Sequence, residues 1–343
     1  ARLNSSKNEI DSALGILSTI PPTSRNFMRA KAEMANIYLN KRHDKLSYVK
    51  CYEELIEQNP ESTSAHISLA DAYMSIAEPE KAIEVYEQVL GMDENMITEI
   101  GSKIGLALIK THNYQGAIDY YADALSRDEH KLSIRMELCE LLFKLKQFSQ
   151  AEKLLLEGVE LFEESSIEVN SLIGQVTCLM LLSKIHSSLE KVNESIDDLM
   201  KARNIQRRII AKLRGGQREA LLLQKQVASN ISYEIGSLHQ ISDAEKAIIF
   251  YNEALEFDEA NRSSLAALSE ISLKKGDLDE CQNHCLNLLR ISPVDEAATV
   301  MLAGILFKKN NYTEAIEYFR KLLTKKPDNF SALSQMIKLL RRA

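Results

Sequence analysis

A 34-residue period runs through this chain and limits what it can fold into more than any other feature does. The repeated unit is a small residue, a ring or long aliphatic four positions later, and another apolar residue three after that. Those spacings fall on one face of an α-helix. The first five triplets are Ala13/Leu17/Ile20, Tyr48/Tyr52/Leu55, Ala82/Tyr86/Val89, Ala117/Tyr121/Ala124 and Ala151/Leu155/Gly158. Then come Ser195/Leu199/Ala202, Ala247/Tyr251/Ala254, Cys281/Cys285/Leu288 and Ala315/Phe319/Leu322. Successive first members stand 35, 34, 35, 34, 44, 52, 34 and 34 residues apart.

A second helix precedes each triplet at a fixed distance. An apolar residue and then a small one occur 13 and 12 positions upstream, at Leu69/Ala70, Ile104/Gly105, Leu138/Cys139, Leu182/Ser183, Leu268/Ser269 and Leu302/Ala303. Ala35/Asn36 departs only at Asn36, and Ile235/Gly236 fits with one residue deleted. Small residues let two helix backbones approach where they cross. Pro60, Pro293 and Pro327 stand where the second helix must stop. The pattern resembles the tetratricopeptide repeat (TPR). The resemblance implies an all-α fold: a right-handed superhelical solenoid of antiparallel helix pairs, each covering the apolar face of the next. An irregular helical bundle would not hold the period.

The register divides the chain into segments. Residues 1–24 read as the second helix of a truncated TPR and 25–163 as four TPR units. Residues 164–227 read as an irregular TPR with an extended basic helical hairpin. Residues 228–328 read as three further units, and 329–343 as the first helix of a truncated TPR. Neither end has a polar capping face and the first residue is Ala, so the native chain is expected to continue in both directions.

The long intervals locate the irregularity. One adds 10 residues around Phe162–Val169, a Glu-rich turn, and the other adds 18 around Arg203–Gln226. No Pro or Gly occurs from Asn193 to Leu213, so the helix runs on until Gly215-Gly216 turns it. About nine extra residues per helix give roughly 13 Å of protrusion. The hairpin is basic: Lys201, Arg203, Arg207, Arg208, Lys212, Arg214 and Arg218 occur with no acid between Leu199 and Arg218. They can form a solvated face, pair internally with the acidic stretch near Glu160–Glu168, or dock an acidic partner. Nucleic acid and lipid headgroups are disfavoured, because no aromatics interleave with the Arg.

Catalytic signatures are missing. The net charge is -7, with 49 Asp+Glu against 42 Lys+Arg, which argues against a dedicated nucleic-acid binder. From Lys308 onward, however, nine Lys/Arg face three Asp/Glu. No phosphate loop, dinucleotide fingerprint or zinc-protease motif occurs, and no cofactor is implied. No secretory signal or membrane-length apolar run is seen, so no direct membrane insertion is expected. An odd count of five Cys without framework spacing points to a reducing compartment. Cys281, His284 and Cys285 invite a metal reading, but the two thiols occupy core positions of a triplet and lack a second ligand pair. Asp197-Asp198 and Glu163-Glu164 read as solvated acids. The Lys/Asn clamp of chaperone-tail-binding TPR domains is also missing: its positions hold Ile67, Asp71, Lys103, Ser133 and Glu137.

Several stretches resemble one family in particular. They are Cys51–Pro60, Glu78–Ala82, Leu142–Lys146, Leu278–Cys281 with His284-Cys285, Pro327–Phe330 and Leu339–Ala343. Together they are similar to the tetratricopeptide repeat protein 21 family, a subunit of intraflagellar transport complex A. The resemblance implies a non-catalytic cytoplasmic and ciliary scaffold, at the cilium or flagellum and basal body. It would contact other subunits of that assembly and act in retrograde transport and ciliary membrane-protein trafficking. Two alternatives remain open from the residues alone: a TPR adaptor that binds short peptide motifs in its concave groove, and the regulatory arm of a larger enzyme.

Overall fold

The computed structural model describes residues 10–128, 131–161, 168–215 and 218–341. The start of the helix expected within 1–24, most of the turn at Phe162–Val169 with Glu163-Glu164, Gly216, and Arg342-Ala343 lie outside the described residues. Among the described residues the chain is all α-helical, without strands. It divides into two compact units, Ala1–Gly158 and Val159–Ala343. In the first, the helices are α1 Ile10–Ser18, α2 Phe27–Ile37, α3 Lys45–Gln58, α4 Thr63–Ser75, α5 Pro79–Met92, α6 Ile97–Lys110, α7 Tyr114–Arg127, α8 Leu132–Lys144 and α9 Phe148–Glu160, whose last turn reaches the boundary. In the second they are α10 Val169–Ser188, α11 Val192–Leu213, α12 Arg218–His239, α13 Ala244–Phe257, α14 Arg262–Lys275, α15 Leu278–Ile291, α16 Glu296–Lys308, α17 Tyr312–Lys325 and α18 Phe330–Leu340. Short connections make consecutive helices antiparallel neighbours.

One turn recurs inside the pairs. His43, Ala77, His112, Lys146, Glu190, Gly276 and Asn310 each take a left-handed backbone, with φ between 54° and 82°. All but His43, which closes a π-helical turn at Tyr38–Arg42, stop the first helix in a Schellman arrangement. At Ala77, for example, its N–H donates to Met74 O and the next N–H, of Glu78, donates to Tyr73 O at 3.0 Å. The same pair of bonds closes the turns at His112, Lys146, Glu190, Gly276 and Asn310. Only Gly276 is free of the steric penalty of this conformation. The turn between α12 and α13 lacks a left-handed residue, and this is the repeat whose spacing is one residue short. Second helices open on caps such as Asp44, Asn113, Asp243 and Asp277, whose carboxylate or amide oxygens accept an N–H of the first turn. Pro60, Pro293 and Pro327 each lie two residues past a helix end.

Packing sets the phase of the stack. Ala82, Ala117, Ala151, Ala247, Cys281 and Ala315 are fully buried, as are the rings of Tyr86, Tyr121, Tyr251 and Phe319 and the thiol of Cys285. Two of the rings, Tyr121 and Tyr251, lie directly on the small residue of the preceding helix. A Cβ placed on Gly105 would stand 2.6 Å from Cε1 of Tyr121, and one on Gly236 would stand 2.8 Å from Cδ1 of Tyr251. Gly158 has a different cause: there a Cβ would stand 2.6 Å from Cδ of the buried Arg135. Within the second unit an apolar cluster joins one pair to the next: Cys281 and Cys285 of α15, Leu302 and Leu306 of α16, Phe319 of α17 and Ala332 of α18 pack together.

Helix propensity and crossing geometry oppose each other at Gly105, which makes the packing testable. Gly105→Ala gains helix propensity yet forces a methyl into the Tyr121 ring, so urea unfolding should show a loss of about 1–3 kcal/mol. Gly91→Ala, in α5 with no atom within 4 Å of the new methyl, should be neutral or stabilising.

Candidate partner-binding surface

Helices α11 and α12 have 22 residues each, against 13 or 14 in most others. Their level in the stack is marked by a buried polar tie. Ser229 Oγ donates to Ala254 O at 2.7 Å and accepts from Asn261 Nδ2 at 2.7 Å. Asn261 lies in the turn after α13, so the eleven residues Arg218–Ala228 project past that turn by about 16 Å. The base is apolar: Leu172 and Val176 of α10 pack with Ile205 and Ile209 of α11 and Ile231 of α12. Helix α10 itself has 20 residues. Much of the ten-residue insertion therefore lengthens a helix that supports the hairpin, where a longer turn was expected. Within the hairpin, Gln206 Nε2 donates to both Gln224 O and Gln224 Oε1 at 2.8 Å. This buried amide pair sets the register of α11 against α12.

The seven cations divide into two groups. Arg203 and Arg207 reach across to α13 and hold the buried Glu253 carboxylate between them. Arg203 Nε lies 2.9 Å from both carboxylate oxygens and Arg207 from Oε1 by 2.6 Å. Arg203 also stacks over Phe250, 5.6 Å from the ring centroid. Both are paired within the chain to Glu253, with Arg203 largely covered and Arg207 still 51% exposed. Lys201, Arg208, Lys212, Arg214 and Arg218 are exposed. Spacings of seven and four place Lys201, Arg208 and Lys212 in one line along α11, on the edge away from the Glu253 pair.

Other polar residues are bound up inside the stack. His186 Nδ1 meets Asp198 Oδ2 at 2.7 Å, both side chains being buried. Burial pushes the Asp198 carboxyl up, and the imidazole contact opposes it. Asp198 is thus a core residue, not a solvated acid. Its signal was in the sequence: Asp198 follows His186 by 12 residues, the crossing distance that also joins Ser183 to Ser195 at 2.8 Å. In the first unit, Asp71 accepts from Lys103 Nζ at 2.6–2.8 Å and from Tyr86. Glu137 accepts from Ser102 at 2.6 Å. Two of the clamp positions, Asp71 and Lys103, are therefore engaged with one another.

All five cysteines are free and buried. Cys281 Sγ donates to Ser269 O at 3.1 Å, and burial pushes its thiol up to about 12. Burial raises Cys285 too and carries Cys51 up to about 11, while it lowers His284. Among the described residues no cluster of His, Cys, Asp or Glu is arranged to hold a metal ion, and no helix is long and apolar enough to cross a membrane.

Helix pairs in register, with small residues under rings and ionic groups paired between neighbouring helices, define a TPR-type helical repeat protein, a class whose surfaces serve protein interaction. Family models described as "Tetratricopeptide repeat protein 21 ARM repeat", "Tetratricopeptide repeat protein 21 forth ARM domain" and "TT21 fifth ARM repeats domain" match residues 1–55, 100–255 and 296–343. The chain belongs to the tetratricopeptide repeat protein 21 family. It is 38% identical to Tetratricopeptide repeat protein 21B of Xenopus laevis and 37% identical to Tetratricopeptide repeat protein 21A of Mus musculus, over 98% of its own length in both cases. It spans about a quarter of the length of those relatives, 25% of each. A general tetratricopeptide repeat model matches residues 65–96. Among solved structures, the C-terminal part of a TPR repeat-containing protein from Cytophaga hutchinsonii covers 79% of this chain and 98% of its own, with a TM-score of 0.55 and 12% identity. That likeness shows the fold alone.

The two groups of arginines should behave differently on substitution. Glu253→Ala strands Arg203 half-buried and should cost about 2–4 kcal/mol in urea unfolding, whereas Arg208→Ala should stay within about 0.5 kcal/mol. A thiol reagent near neutral pH should label none of the five cysteines in the native chain and all five in denaturant. Labelling of Cys281 at the rate of a free thiol would contradict its burial.

Proposed function

We propose that this chain is part of a non-catalytic scaffold subunit of intraflagellar transport complex A. It acts in the cytoplasm and at the cilium and basal body, in retrograde transport and the trafficking of ciliary membrane proteins. The observation that carries the reading is membership of the tetratricopeptide repeat protein 21 family, with matches along nearly the whole chain. The fold is consistent with it. A stack of helix pairs fills its interior with packing and leaves its chemistry on the outside, where other subunits can grip it. Of the hairpin cations, we assign Lys201, Arg208, Arg214 and Arg218 to an acidic protein partner. Arg203 and Arg207 are excluded because Glu253 occupies them.

Affinity purification of the full-length protein tests the assembly reading. Several large subunits should co-purify in stoichiometric amounts; recovery of the protein alone would reject it. Reversing Lys201, Arg208, Arg214 and Arg218 to Glu should remove one of those subunits while the melting temperature holds. Undiminished recovery of every subunit would reject the docking surface.

A further inference from the structure

We propose that the groove formed by α16, α17 and α18 is a binding site for a short acidic segment of a partner protein that inserts an apolar side chain. The inference does not depend on the transport-complex assignment. Successive first helices touch in two places that concern it, α6 with α8 and α16 with α18. An open pocket lies at each, about 320 Å3 at the first and about 350 Å3 at the second. Both volumes suit a bound side chain with its flanking backbone.

The two pockets are the same place in the repeat, furnished differently. Gly304, Phe307, Phe319, Gln335 and Lys338 line the second, and each stands 198 residues after Leu106, Ile109, Tyr121, Glu137 and Glu140 of the first. In the first pocket Leu106 occupies the wall and the buried Tyr121 phenol faces Glu137; burial, helped by the Glu137 charge, holds that phenol well above its usual range. The rim there carries the two carboxylates of Glu137 and Glu140 together with Lys144. In the second pocket the wall residue is Gly304, and nothing lies within 4 Å of where its Cβ would stand. The floor ring, Phe319, has no hydroxyl, and Gln335 replaces the carboxylate. Lys338 and Arg341 form the rim, and among the described residues no carboxylate lines the pocket.

The three differences act together. Gly304 opens the wall, Phe319 and Phe307 make the floor apolar, and the two rim carboxylates give way to Gln335 and Lys338. An apolar floor rewards burial of an aliphatic or aromatic side chain. A cationic rim with an amide donor beside it selects carboxylates next to that side chain. The surrounding chain adds to the field, with nine Lys/Arg against three Asp/Glu from Lys308 onward. Of those three acids, Glu314 accepts from the Asn311 amide at 2.6 Å, and neither Glu314, Glu317 nor Asp328 lines the pocket. A membrane surface would use the cations but not the closed apolar floor.

Fluorescence anisotropy on the whole chain tests this with fluorescein-labelled peptides. The first carries one Phe flanked by three Asp or Glu on each side. The second has Ala in place of Phe, and the third has Asn and Gln in place of the acids. The first should bind, and each of the others should bind at least about tenfold more weakly. Gly304→Leu, which copies the first pocket's wall at an exposed helix position, should weaken the first peptide at least about tenfold. So should Lys338→Glu with Arg341→Glu, while Leu106→Gly should leave it unchanged. Equal binding of the Ala peptide, or full binding by both the Gly304→Leu and the rim variants, would overturn the proposal. So would rim-dependent sedimentation with phosphatidylserine vesicles in the absence of peptide binding.

Discussion

The close approach of two helices at a small residue is the constraint on which the rest of the structure depends. Tyr121 on Gly105 and Tyr251 on Gly236 leave no room for a methyl group between them. That contact sets how far apart the two helices of a pair lie, and so where the apolar face of the pair is presented to its neighbour. The turn must then deliver the second helix to the same place each time. In every pair but α12–α13 it does so with a left-handed residue, even at Ala77, Lys146 and Glu190, where that conformation is unfavourable. Local strain is accepted because packing on both sides over-determines it.

Much of this was legible in the sequence because it is periodic. A residue type needed every 34 positions shows itself by repetition, and Ala82, Ala117, Ala151, Ala247 and Ala315 could be assigned to the core from spacing alone. The hairpin could be placed too, since an insertion without Gly or Pro must continue a helix. Pairings across the stack were not legible. Nothing local in Arg203 and Arg207 indicates that both reach Glu253, 50 and 46 residues away. The length of α10 was hidden for a related reason: its first turns are specified by the need to cover Ile205 and Ile209, a contact that exists only in three dimensions. Asp198 was misread because an acid beside another acid looks solvated until the 12-residue crossing to His186 is applied.

The distribution of polar groups bears on what the molecule can do. The buried carboxylates are occupied, Asp198 by His186 and Glu253 by two arginines, and the part-exposed Asp71 is held by Lys103 and Tyr86. Exposed cations lie along the outer edge of α11 and at the rim of the α16–α18 groove. The chain thus offers other proteins a surface patterned by charge on a scaffold made rigid by packing. Membership of the tetratricopeptide repeat protein 21 family accords with that division, and the chain accounts for about a quarter of such a protein, 25% of the relatives it matches.

A double-mutant cycle between Gly105 and Tyr121 addresses the central claim most directly. If the ring lies on the glycine as described, the cost of adding a methyl at Gly105 should fall by at least about 1 kcal/mol once Tyr121→Leu has removed the ring. Additivity of the two substitutions to within about 0.3–0.5 kcal/mol would mean that the pair does not define the crossing, and the account of the stack would fail.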